Sequence, residues 1–224
     1  MTRLQELYEK LQDYDDVDGA IQASDMLAAE ATPDWLPTLY EWLSQPGDFF
    51  LRECTAPAVI RLEGISCLSR LLHANRLGYN EGQDNDSLQT YIIELIESDP
   101  EPAREHLLAL SQSPDVNDRS DAAWLLGYLH KIVDPDTLLR LTRDTTPAVR
   151  KAAYGSLASF KNTEEVYKVL VSGLSDAEED VRISAVSALG YYRDHRALPL
   201  LEPLQKSASP RMRHILDNSL KLLQ

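Results

Sequence analysis

Only two cysteines, Cys54 and Cys67, occur in 224 residues. That is too few for a disulfide framework or a set of zinc ligands. Glycine is scarce at nine residues, and none of it forms a loop able to cradle phosphate or a serine nucleophile elbow. The five histidines, His73, His106, His130, His195 and His214, are scattered, and no pair has the spacing of metal ligands. No apolar run approaches the roughly 18 residues that a membrane-spanning helix needs. The start Met1-Thr2-Arg3-Leu4-Gln5-Glu6 has neither the basic end nor the apolar stretch of a secretion signal. These absences predict a soluble, cytoplasmic, non-catalytic protein without a cofactor or bound metal.

Positive charge is also in short supply, and unevenly so. Residues 1–100 carry 19 Asp and Glu against 6 Lys and Arg, a balance of −13, whereas residues 101–224 carry 17 against 16, a balance of −1. Nucleic-acid affinity rests on neutralising phosphates with Lys and Arg. A half at −13 repels phosphate, so nucleic acid is excluded as the expected partner. The same acidity keeps a protein soluble, and it also suits docking to a cationic protein.

The second half contains a ruler. Arg119, Arg150, Arg182 and Arg213 are separated by 31, 32 and 31 residues, and each is followed seven residues later by a leucine: Leu126, Leu157, Leu189 and Leu220. A fixed period of this length marks a repeat architecture in which one supersecondary unit stacks on the next. Each unit reads as a first helix with paired apolar residues (Leu107/Leu108, Leu138/Leu139, Val169/Leu170, Leu200/Leu201), a polar turn, and a second helix opening near Asn117, Pro147, Glu179 or Pro210. The first helices are expected over Pro102–Gln112, Pro135–Arg143, Thr163–Gly173 and His195–Lys206. Asp115, Asp176 and Ser209 are expected to accept bonds from exposed helix amides. Along each second helix, positions −1, +3, +7 and +10 from the arginine form one apolar stripe, as in Val149, Ala153, Leu157 and Phe160. Such spacing marks one face of an amphipathic helix.

The segments Ala148-Val149-Arg150-Lys151-Ala152-Ala153 and Asp180-Val181-Arg182-Ile183-Ser184-Ala185 resemble bacterial HEAT-like repeats, most of all the short variety found also in phycobilin lyases. The resemblance covers residues 101–224 and implies an all-α fold, a right-handed solenoid of stacked antiparallel helix pairs. A single domain is expected: N-terminal capping helices over 1–32, divergent repeats over 33–100 with a loop inserted at 78–87, and four regular repeats over 101–224. Leu4–Leu11 and Asp16–Ala31 read as the capping helices, and within the divergent part Trp35–Leu43, Gly64–Arg76 and Ser87–Ser98 read as helices. Asp48-Phe49-Phe50-Leu51-Arg52 reads as the start of another second helix, with Val59 at +7. Trp35 and Trp42, seven apart, read as core. In the family, the repeated arginine pairs with an acid from a nearby turn and sets the stacking. Arg119, Arg150, Arg182 and Arg213 are therefore assigned to the repeat itself, with Asp118, Glu178, Glu179 and Asp180 as candidate partners.

Function is sought in what departs from the period. Trp124, Tyr128 and Tyr191 occupy positions +5 and +9, off the apolar stripe. In HEAT-like solenoids the second helices line the concave surface, and exposed Trp and Tyr are typical anchors of a protein interface; packing between repeats is the alternative reading. The segment from Gly78 to Leu88, with Glu81, Asp84 and Asp86, fails the calcium-loop pattern because the fifth and sixth positions counted from Asp84 are Leu88 and Gln89. Asp86 or Ser87 reads as a cap of the following helix. The segment also resembles one recurring in small bacterial HEAT-repeat proteins, some of which look like immunity proteins that neutralise toxins. That resemblance makes Glu81, Asp84 and Asp86 candidate contacts. The expected function is a binding module for a basic protein partner, with toxin immunity as its most concrete form. The alternatives are a phycobilin-lyase-like protein and an assembly adaptor.

Overall fold

Side-chain acceptors open the helices. Asp16 accepts from the Gly19 amide at 3.0 Å, Asp48 from Leu51 at 2.9 Å, Asp115 from Asn117 at 2.7 Å and Ser209 from Met212 at 3.1 Å. Each satisfies an amide that has no partner inside its own helix. Pro147 and Pro210 stand as the first residues of their helices, where a missing N–H costs nothing.

The computed structural model describes residues 1–83, 86–161 and 163–224; Asp84, one of the expected contact residues, lies outside them. No strand occurs among the described residues. The chain divides into two units, Met1–Asp99 and Pro100–Gln224. The first holds α1 (Arg3–Leu11), α2 (Val17–Glu30), α3 (Leu36–Leu43), α4 (Phe49–Glu63), α5 (Leu68–Asn80) and α6 (Asp86–Ser98). There α2 packs on α1 and α4, while α4 packs also on α3 and α6. The second holds α7 (Pro100–Leu110), α8 (Val116–Leu125), α9 (Asp136–Leu141), α10 (Pro147–Leu157), α11 (Glu164–Ser172), α12 (Glu179–Tyr192), α13 (Leu198–Leu201) and α14 (Pro210–Leu222). In it the second helices α8, α10, α12 and α14 pack on one another in series.

The apolar stripe supplies the layer between repeats. Val149, Ala153 and Leu157 are fully buried, as are Val181, Ala185 and Leu189, and the leucines at +7 are buried in all four repeats. Val59, at the same position after Arg52 in the first unit, is buried too. Burial of a leucine of this kind stabilises by about 2 kcal/mol. Because each helix pair buries little alone, stability accrues at the contacts between neighbours.

Four expectations are corrected. The first helix of the last repeat is not continuous over 195–206: α13 spans four residues between two 3-10 turns, His195–Ala197 and Glu202–Lys206. Pro203 lacks the amide that an α-helix would need there, and its ring clashes with the preceding turn. The 78–87 loop is shorter than its sequence suggests, since α5 runs through Gly78, Tyr79 and Asn80. Asp86 lies inside α6 rather than before it, and the Leu88 amide is taken by the Glu53 carboxylate at 3.4 Å. Trp35 sits in a 3-10 turn ahead of α3, and both it and Trp42 are half-buried, with Trp42 tilted against Tyr8 at 4.9 Å.

Candidate functional site

Two sets of side chains organise the second unit, one made of ions and the other of rings. The ionic set is a ladder. Arg119 donates from Nε to Asp144 at 2.8 Å and from Nη2 at 3.2 Å. Arg150 repeats this with Asp176, both bonds being 2.8 Å. Meanwhile Nη1 of each arginine holds the two carbonyls of its own turn: Ser113 and Pro114 for Arg119, Asp144 and Thr145 for Arg150. The fork of one guanidinium thus ties its own turn to the turn of the next repeat, a bidentate geometry that lysine cannot supply. The carboxylates also take the amide two residues on, Thr146 for Asp144 and Glu178 for Asp176. The arginine beside each holds the Asp144 and Asp176 carboxyls below the usual carboxylate range.

The partners are therefore Asp144 and Asp176 rather than the neighbouring Asp118, Glu178, Glu179 and Asp180. Asp118 accepts from the Ser113 hydroxyl, and Asp180 pairs with Arg211. The carboxylate that meets the guanidinium fork comes from the next turn, 25 or 26 residues later, rather than from the arginine's own helix. The recurrence of aspartate 25 and 26 residues after Arg119 and Arg150 is a signal that the sequence reading missed.

Glu81 belongs to the same scheme in the first unit. Arg52 is fully buried and donates from Nη2 to Glu81 at 2.8 Å and to Gln83 at 2.7 Å, while its Nη1 holds the Gln45 carbonyl at 2.5 Å. The other Glu81 oxygen accepts from the Gly47 amide at 2.8 Å. That amide and the guanidinium lower the Glu81 carboxyl. Glu81 is thus engaged within the fold, and Asp86 lies exposed in the first turn of α6.

The ring set lies on the second helices. Trp124 and Tyr128 meet edge to face on α8 and the turn after it, their centroids 6.2 Å apart at 88°. They border a groove of about 280 Å³ whose other lining residues are Gly127, Gly155, Ser156 and Ser159. Gly155 and Ser159 stand at +5 and +9 of the next repeat, the places that Trp124 and Tyr128 hold in theirs, so small residues floor the groove beside large ones. Tyr191, at +9 one repeat further on, is 59% exposed, against 38% for Tyr128. It stands on α12, two second helices along the series from α8. The structure thus brings Trp124 and Tyr128 together and sets Tyr191 apart on the same row.

The remaining nucleophiles are quiet. Cys54 and Cys67 are buried, and burial pushes their thiols up to about 11 and about 12. Neither is a thiolate at neutral pH, the state a nucleophile requires. Among the described residues no group of three His, Cys, Asp or Glu is placed to hold a metal ion. No helix of the structure is long and apolar enough to cross a membrane.

Known structures align over the whole chain with low identity. An engineered protein is 19% identical, with 100% of this chain and 97% of that one covered and a TM-score of 0.47. YibA of Escherichia coli is 17% identical, covers 100% and 92%, and scores 0.46. The CpcE–CpcF complex of phycocyanin lyase from Nostoc sp. PCC 7120 is 16% identical, covers 100% and 96%, and scores 0.42. No curated protein matches the chain significantly. The family model described as HEAT repeats matches residues 104–174 and 135–221, which together take in more than half of the sequence. With its arginine ruler, its serially packed second helices and this match, the chain belongs to the HEAT-repeat family.

Proposed function

We propose that this protein is a non-catalytic interaction module whose partner is another protein, held by the aromatic row of the second helices. The observation that carries the reading is the groove formed by Trp124 and Tyr128 over Gly155 and Ser159, with Tyr191 exposed further along the row. Large rings bury rigid area at little entropic cost, and small residues beside them leave room for a partner's side chain. The −13 balance of residues 1–100 would attract a basic partner from a distance and raise the rate of encounter. The concrete form of this reading is a cytoplasmic immunity protein that occludes a basic toxin domain. The exposed acids at Asp15, Asp16 and Asp86, with Asp84, would serve as steering charge.

The test is capture from the native host with the wild type and with Trp124→Ala/Tyr128→Ala. A basic protein inhibited by the wild type, and retained at least tenfold less by the double variant, is the expected result. Recovery of a phycobiliprotein would point instead to a lyase-like role, and recovery of an assembly client to an adaptor. Equal retention of every partner by the double variant would remove the aromatic row from the site.

A further inference from the structure

Among the described residues the arginine ladder has an open rung at Arg182, and Arg213, at the next, has only the Ala208 carbonyl at 3.2 Å. Arg182 is anchored like its predecessors, with Nη1 donating to the carbonyls of Asp176 at 2.7 Å and Ala177 at 2.8 Å. In Arg119 and Arg150 that same anchorage leaves Nε and Nη2 facing a carboxylate in the next turn, 25 or 26 residues later. The residue 25 places after Arg182 is Ser207. Among the described residues no carboxylate lies within ion-pair distance of Arg182, which is half-buried. A cavity of about 210 Å³ stands at this point instead, and Arg182, Val186, Leu204, Ser207 and Ser209 are among the residues lining it.

The geometry points to this cavity as a receptor for a single carboxylate group brought by a bound molecule. The incoming group would take the place that Asp144 and Asp176 occupy one and two rungs earlier. One oxygen would receive Nε and the other Nη2, the bidentate arrangement that matches a planar anion to a guanidinium. In the closed rungs the carboxylate also takes the amide two residues on, and the counterpart here is the Ser209 amide. Ser207, which also lines the cavity, adds a hydroxyl donor. Glu179 lines the same cavity, and its charge disfavours a doubly charged phosphate relative to a singly charged carboxylate. The apolar wall of Val186 and Leu204 suits the methylene stem of a glutamate or the last side chain of a peptide. The carboxylate could thus come from an acidic side chain or from a chain terminus. This inference does not depend on the aromatic row.

The test uses the full-length ¹⁵N-labelled protein titrated with sodium acetate and followed through the Arg182 Nε–H and Ser209 amide resonances. Both are expected to shift saturably, and sodium sulfate is expected to bind more weakly. Ser207→Asp places the chain's own carboxylate in the rung. That variant should fold, show the Arg182 resonance already displaced without acetate, and bind acetate at least tenfold more weakly. Arg182→Gln should abolish the response at Ser209. A short peptide with an internal glutamate and an amidated end, compared with one having only a free C-terminal carboxylate, then separates the two sources. Non-saturating shifts, tighter binding of sulfate than acetate, or an undiminished acetate response in Ser207→Asp would each overturn the assignment.

Discussion

A guanidinium buried beside its carboxylate carries a different energetic weight from one that meets water. The Arg52 side chain is wholly buried although Glu81, which faces it, keeps 26% of its surface, whereas the Arg150 side chain keeps 15% and Asp176 12%. Removing Glu81 would leave the buried Arg52 guanidinium with only neutral acceptors, the Gln45 carbonyl and the Gln83 side chain, and so with a charge that nothing balances. Removing Asp176 leaves an Arg150 guanidinium that still reaches water, so the cost is that of the charged hydrogen bonds, about 1–3 kcal/mol. Glu81→Ala should therefore destabilise more than Asp176→Ala in equilibrium urea unfolding, and the reverse order would contradict this account. Acid should act on the hydrated rungs in a defined direction. Asp144 and Asp176 are held below the usual range when folded. Their contribution is thus complete above the ordinary carboxylate value near ~4 and fades as pH falls through their depressed folded values. Wild type should lose stability on acidification more steeply than Asp144→Asn/Asp176→Asn, as a pH series of thermal melts would show.

Helix contacts in the second unit depend on missing side chains as much as on present ones. At Gly190 on α12 an added Cβ would lie 2.7 Å from the backbone Cα of Ser219 on α14, whereas at Gly155 the nearest atom would be the Ser184 hydroxyl at 3.5 Å. Gly190→Ala should therefore force α12 and α14 apart and cost about 1–3 kcal/mol. Gly155→Ala should be neutral or stabilising by up to about 1 kcal/mol through helix propensity. Denaturation midpoints of the two variants decide the matter, and equal effects would refute the close-approach argument. The second helices were legible because Arg, Ala and Leu recur in register with burial, and their starts fall within a residue of expectation. The break around α13 was less so, since Pro199 and Pro203 interrupt a run whose leucines still follow the period. At the candidate site the sequence placed Trp124 and Tyr128 off the stripe. It could not show that Gly155 and Ser159 form a floor beside them, because small residues carry no periodic signal. The bond from Arg52 to Glu81 was hidden for a related reason: the two lie 29 residues apart, outside any local pattern.

Across the molecule, charge and repeat regularity are distributed in opposite senses. Residues 1–100 carry the −13 balance, while the second unit holds nearly equal numbers of both signs and spends some of them in the Arg119 and Arg150 rungs. Screening should relieve self-repulsion in the first unit and weaken pairing in the second. Raising NaCl from roughly 0.05 to 0.5 M should accordingly increase hydrogen-exchange protection across Met1–Asp99 relative to Pro100–Gln224. A uniform change would show that the charge asymmetry carries no stability difference. The ladder itself has a direction, because Arg119 and Arg150 each look forward to the turn of the following repeat. Residues 145–176 contain both Arg150 and the Asp176 that answers it. A tandem copy of that stretch would bring its own lock and key, leaving the Arg119 and Arg150 rungs closed, whereas a copy of residues 177–207 would insert a second Arg182 facing a second Ser207. Duplication within 145–176 would thus add a closed rung and duplication within 177–207 an open one, and the difference rests on a single serine.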